Sequence, residues 1–179
     1  IGSTATLYAE PTQQSEALHV FTPGTKVAIL EIKDGWAKVI FWRQYGYFYL
    51  DAVEELTPVY DVASAQSGDT IAAFISFFSQ SQDGLNPNRI INIAKACEYI
   101  SIPMEPGFEF SFNGIAGPYQ PGRGYLYGMS FFEGQSVPSY GGGTCQVSST
   151  LYNVLLALDN CISLVYRLPH GPSGAKYLP

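Results

Sequence analysis

Between Ala5 and Leu56 apolar and polar residues alternate in short bursts, most clearly in "KVAILEI" and "WAKVIFW". A period of two is the mark of strands with one buried face. The bursts are broken at Pro23-Gly24, Asp34-Gly35 and Gly46. Asp34-Gly35 between two alternating runs is a hairpin signal, because glycine accepts the positive φ of a tight turn. The pattern predicts about five short strands closing into a small barrel over residues 1–57. Periodicity then fades: "TPVYDVASAQSG" is rich in small polar residues and reads as a linker over 58–68. A second domain is expected over 69–179.

There, "DTIAAFISFFSQ" is an apolar, β-capable run and "SQDGLNPN" a turn-rich loop. "NRIINIAKACEYI" carries Ile90, Ile91, Ile93, Ala94, Ala96, Cys97 and Ile100 at helical spacing, which assigns Cys97 to packing. "MEPGFEFSFN" predicts a Pro-Gly turn and a strand with Phe108, Phe110 and Phe112 on one face. The Gly/Pro-rich passage up to Gly143 holds too many turn formers for a long element, and loops of that length are functional or mobile. A central helix begins at "GGGTCQ", with Val147, Leu151, Val154, Leu155 and Leu158 on its apolar face. "CISLVYRLP" reads as a strand ending near Pro169. The fold class is α+β.

A formal charge of −6 and no Lys/Arg cluster remove the footprint that nucleic acid requires. No apolar run approaches the ~20 residues of a membrane span, so no integral membrane segment is expected. The chain opens at Ile1 without a charged or apolar leader, which places an export signal or anchor upstream. Three cysteines, Cys97, Cys145 and Cys161, are too few for a disulfide framework, and no spacing suggests zinc. No metal or cofactor is expected. A Cys97–Cys161 bridge fits the sequence less well than two buried reduced thiols.

Cys145 stands apart. Thr144 is the natural N-cap of the central helix, which puts the thiol in the first turn, where the helix dipole and free N–H groups favour thiolate. The glycines before it would let a substrate backbone approach, and amides of Gly142, Gly143 and Thr144 could hold an oxyanion. His170, after the next predicted strand, is the histidine able to complete a Cys-His dyad, and Arg167 would flank it to hold a carboxylate. On residues alone, an inert first-turn cysteine and a loop histidine fit equally.

Two resemblances bear on this choice. The "GTKV", "DGWAKV" and "GYFYL" blocks resemble the bacterial SH3-like family. The resemblance implies a module that binds wall peptides or polysaccharide, with Trp36, Trp42, Tyr45 and Tyr47 as ligand candidates or as packing of a small barrel. From about Thr70, Asn88-Arg89, "NIAKA", "EPGFEFSFN", "GPYQPGRGY", "GGGTCQVSSTLYN" and "YRLPH" resemble the VanW-like domain in family order. The family is named for its occurrence beside glycopeptide (vancomycin) resistance genes, and its members are mostly exported or membrane-anchored proteins of Gram-positive bacteria. The resemblance implies an extracellular, wall-associated protein acting on peptidoglycan stem peptides, with L,D-transpeptidase-like chemistry through a Cys145 acyl-enzyme. Gln146, Ser148, Tyr125 and Arg123 are the substrate-binding candidates. The family pattern runs past "YLP" into a Gly-x-Asp-Ala segment, so an aspartate orienting His170 is expected beyond Pro179. Two rivals stay open. One is a non-catalytic peptide binder with a groove of Phe110, Phe112, Tyr125 and Tyr127. The other is a cysteine endopeptidase of the NlpC type, whose nucleophile has different neighbours.

Overall fold

The alternation over Trp36–Phe41 is obeyed side chain by side chain: Ala37, Val39 and Phe41 are buried, whereas Trp36, Lys38 and Ile40 are not. This computed structural model describes residues 1–132, 135–158 and 161–168. They gather into two units, Ile1–Phe77 with Asn153–Ser163, and Phe78–Tyr152 with the described residues from Leu164. The chain is α+β.

In the first unit an antiparallel sheet is built from β1 (Ala5–Tyr8), β2 (Ala17–Phe21), β3 (Glu31–Lys33), β4 (Trp36–Phe41) and β5 (Gln44–Tyr49). The spatial order is β2-β1-β5-β4-β3. The Asp34-Gly35 hairpin forms as expected, with Lys33 opposite Trp36 and φ of 51° and 79° at the two turn residues. A second tight turn follows where no glycine announced it. Phe41 pairs with Gln44, so Trp42 and Arg43 must turn the chain at φ of 44° and 70°. Gly46, expected as a break, is instead inside β5, because a Cβ there would lie 2.7 Å from Leu7 Cγ.

Leu7, Phe21, Val39, Phe41 and Phe48 form the core of this unit, and Phe77 packs against it, stacked on Phe21 at 5.6 Å. Phe77 belongs to "TIAAFISFF", which forms no strand. Phe77 packs on the sheet although the run pairs with no strand.

The second unit contains α1 (Asn86–Ile100), α2 (Phe112–Ala116), β6 (Tyr127–Phe132), β7 (Gln135–Tyr140) and, up to Tyr152, α3, which spans Thr144–Leu156. In α1 the buried positions are Asn92, Ile93 and Ala96, while Ile91 and Cys97 face solvent. The helix is rotated from the purely apolar face because Asn92 has backbone partners inside. Cys97 is therefore not a core residue, and all three cysteines are exposed and free. Ile93, Ala96, Tyr125 and Val147 make the core, ringed by Phe78, Tyr99, Ile100, Phe112 and Tyr119.

Three further expectations are corrected. The Phe108–Phe112 strand is absent: the Ser111 hydroxyl accepts from Gly114 N–H at 3.2 Å and starts α2 at Phe112. The Gly/Pro-rich passage contains the β6–β7 hairpin, in register from Tyr127 opposite Tyr140 to Phe132 opposite Gln135. Residues 161–168 form no strand and are exposed. Among the described residues no neighbouring strand pairs with them, and a strand exists only by its partner's hydrogen bonds.

Candidate functional site

The three glycines before Cys145 stand where no side chain fits. A Cβ on Gly142 would lie 2.3 Å from the Gly128 carbonyl carbon. On Gly143, at φ 106°, it would lie 2.6 Å from Arg89 Cγ, and on Gly141, at φ 79°, 2.9 Å from the Tyr119 ring. The space a side chain would take at these positions is filled by the protein itself, so these glycines serve internal packing.

Helix α1 fastens this turn. Asn92 is fully buried; its Nδ2 donates to the carbonyl oxygens of Leu126 at 2.9 Å and Gly142 at 3.0 Å. Its Oδ1 accepts from Leu126 N–H at 2.8 Å, so the carboxamide is fully used and buried at little cost. One turn earlier Asn88 donates to Tyr127 O at 2.8 Å, and the Arg89 guanidinium donates to Gln146 Oε1.

Thr144 opens α3 as its first helical residue rather than capping it. Its N–H bonds Gly141 O at 3.1 Å. Cys145 follows in the first turn, exposed as a residue, yet with enough protein around its sulfur for desolvation to raise the thiol pKa. Its own backbone N–H pulls the other way and loses. The expected depression of this thiol is thus reversed in the resting protein. Of the amides assigned to an oxyanion, that of Thr144 is already spent within the turn.

His170 lies outside the described residues. Arg167 is exposed, with its guanidinium over the Tyr152 ring at 4.4 Å. The substrate-binding candidates are mostly structural. Tyr125 is fully buried and donates to Ala116 O at 2.7 Å; burial pushes its pKa to about 12. Gln146 is 2% exposed beneath Arg89. Arg123 donates to Ile115 O at 2.9 Å with its guanidinium 3.9 Å from the Tyr99 ring centre. Ser148 bonds back to Cys145 O at 3.0 Å, inside the helix turn. In the binder's groove Tyr125 is unavailable, Phe110 and Phe112 are half-buried, and Tyr127 is exposed.

In the first unit Trp42 and Tyr45 are about half exposed, at 50% and 55%, and Trp36 and Tyr47 are half-buried. Trp36 and Tyr47 line a cleft of about 370 Å³ together with Pro11, Glu31, Lys33, Asp34 and Lys38. That volume lies within the ~300–1,000 Å³ of small-ligand sites. Among the described residues no three His, Cys, Asp or Glu side chains gather as a metal site, and no helix is long and apolar enough to cross a membrane.

Asn92 and Tyr119 carry no role in the sequence reading. An asparagine inside the apolar stripe of α1 was the available signal for the first; nothing local marked the second.

An exposed thiol, presented at the start of a helix by a glycine turn that a neighbouring helix fastens, defines this unit as a cysteine-bearing α+β domain. The family described as "VanW like protein" matches residues 88–179, and the chain belongs to the VanW family. The uncharacterized protein YoaR of Bacillus subtilis (strain 168) is 29% identical over 114 residues, covering 63% of this chain and 35% of the relative. The chain thus spans about a third of that relative's length. No solved structure gives a significant match.

Proposed function

We propose that this is an exported peptidoglycan protein that performs acyl transfer at Cys145. In this reading the first unit is an SH3-like barrel over residues 1–57 that holds the wall, and 58–68 links it to a VanW-like domain over 69–179. The cleft beside Trp36 and Tyr47, with Lys33 and Lys38 set against Glu31 and Asp34, suits a small ligand with both charges and an apolar body. Cys145 Sγ attacks a stem-peptide carbonyl, the C–N bond breaks, and a thioester remains. His170 takes the thiol proton and delivers it to the departing amine, while Arg167 holds a substrate carboxylate. An incoming amine then completes an L,D-transpeptidase-like exchange; water instead gives an endopeptidase. The carrying observation is the exposed Cys145 thiol in the first turn of α3.

The test is intact mass after incubation with defined muropeptides, in the chain and in Cys145→Ser. A thioester adduct on the chain alone supports acyl transfer. Tight muropeptide binding with no adduct at any pH replaces it with the non-catalytic binder, which the raised thiol pKa favours.

A further inference from the structure

The cleft of about 370 Å³ in the first unit is built on the outer face of the sheet. Residues paired across strands share a face, so the register sets its floor. Glu31 lies opposite Lys38, Lys38 opposite Tyr47 and Tyr47 opposite Tyr8, while the next row runs from Lys33 to Trp36 to Tyr49. The alternate positions Ala37, Val39 and Phe48 are buried in the core on the other side. The cleft is therefore no packing defect of that core, and Pro11, from the loop after β1, walls it.

Its aromatic side is held in place. The Trp36 ring meets Tyr49 at 4.5 Å and the Tyr8 ring edge-on at 6.0 Å, so little of the protein has to be ordered when an apolar stem is laid on Trp36 and Tyr47. Its charged side is unbalanced. Lys38 stands directly opposite Glu31, yet its ammonium lies 4.2 Å from the centre of the ring of Tyr45, its diagonal neighbour on β5. Among the described residues Glu31, Lys33 and Asp34 make no ion pair. With the Lys38 charge turned to the tyrosine, two carboxylates and one ammonium are left to the cleft. That surplus selects a cation. The ~7 Å between alternate residues of one strand sets Lys33 far enough from Glu31 to hold a separate carboxylate of the same ligand. An aromatic floor beneath carboxylates favours an ammonium on an aliphatic stem. An uncharged sugar would answer the rings and leave the charges unmatched, and a phosphate would meet two carboxylates.

We propose that this cleft binds a peptide through the free side-chain amine of a basic residue. Glu31 and Asp34 face the ammonium, Trp36 and Tyr47 the aliphatic stem, and Lys33 a neighbouring carboxylate. The inference rests on the reading of the first unit as a wall-holding module, in which the peptide is a stem peptide whose side-chain amine carries no cross-link. Such a module gathers the chain on wall that still has amines to join.

The test is titration of the full chain with the tripeptide L-Ala-γ-D-Glu-L-Lys, followed by amide chemical shifts. Binding moves the amides of β3, β4 and the Asp34-Gly35 turn, and acetylating the lysine side chain weakens it by ~10-fold or more, the worth of a hydrogen bond to a charged group. Glu31→Gln with Asp34→Asn produces the same loss, and the free and acetylated tripeptides then bind alike. Both side chains are exposed, and asparagine accepts the left-handed backbone of residue 34, so the hairpin is kept. Equal affinity of the two tripeptides for the unsubstituted chain overturns the inference, as do shifts confined to other surfaces or no binding at millimolar peptide. Purified wall sacculi test the underlying reading separately. Sacculi that fail to sediment the chain while the free tripeptide binds in the cleft overturn the wall-holding role and leave the amine site. Sedimentation that neither the double variant nor acetylation of the wall amines reduces keeps the wall-holding role and overturns the amine site.

Discussion

The Asn92 carboxamide donates to the Gly142 carbonyl oxygen across 3.0 Å and ties the middle of α1 to the glycine turn that presents Cys145. Both partners are buried. Asn92→Ala leaves the buried Gly142 carbonyl and the Leu126 N–H without their partner, while the Leu126 carbonyl keeps the Gly141 N–H. The expected loss is roughly 2–4 kcal/mol, read as a lower urea midpoint. A midpoint within error of the parent's would mean that these groups find other partners.

Gly142→Ala sets a methyl 2.3 Å from the Gly128 carbonyl carbon, and backbone cannot yield as a side-chain tip can. We expect a loss of about 3 kcal/mol or more from overpacking, with the β6–β7 hairpin displaced from the turn. Amide exchange at Gly128 and Met129 should rise sharply in the variant; unaltered protection there would refute the close approach.

The Cys145 thiol sets a pH dependence whose sign follows from its raised pKa. Burial favours the neutral form, so the folded state holds its proton to higher pH than the unfolded chain does. The associated stability is complete below the ~8.5 of a free cysteine and is lost as pH rises through the folded pKa. With Cys97 and Cys161 replaced by Ala, iodoacetamide alkylation of the folded chain should have its midpoint above that of the same chain in urea. A midpoint below the urea value would show that a neighbouring group depresses the thiol in the resting protein.

Trp42 and Arg43 occupy left-handed backbone without glycine or asparagine. Each such residue costs about 1 kcal/mol or more, and Asn-Gly is the natural occupant of a two-residue hairpin turn. Replacing the pair with Asn-Gly should raise stability by about 1–2 kcal/mol. Since Trp42 also stacks on Phe41 at 5.0 Å, a measured gain below that range gives the worth of the stacking. A net loss would place the ring contact above the backbone strain.

By itself the sequence determined what is local. Alternation over Trp36–Phe41 and the Asp34-Gly35 turn specify their hairpin, because period and turn chemistry act between near neighbours. The helical spacing from Asn88 and from Thr144 specifies α1 and α3, although α1 starts two residues earlier, at Asn86, and the position of Cys145 in the first turn follows from that spacing alone. Tertiary structure decided what depends on a partner far along the chain. Gly46 lies inside a strand because Leu7 fills its space, and Gly128 and Gly142 are glycine because they touch each other. Helix α1 turns Asn92 inward and Cys97 outward because the backbone of Leu126 and Gly142 needs the carboxamide more than the core needs the thiol. The direction of the Cys145 pKa belongs to the same class. A helix start can be read from a spacing, whereas desolvation comes from whatever the fold packs around the sulfur.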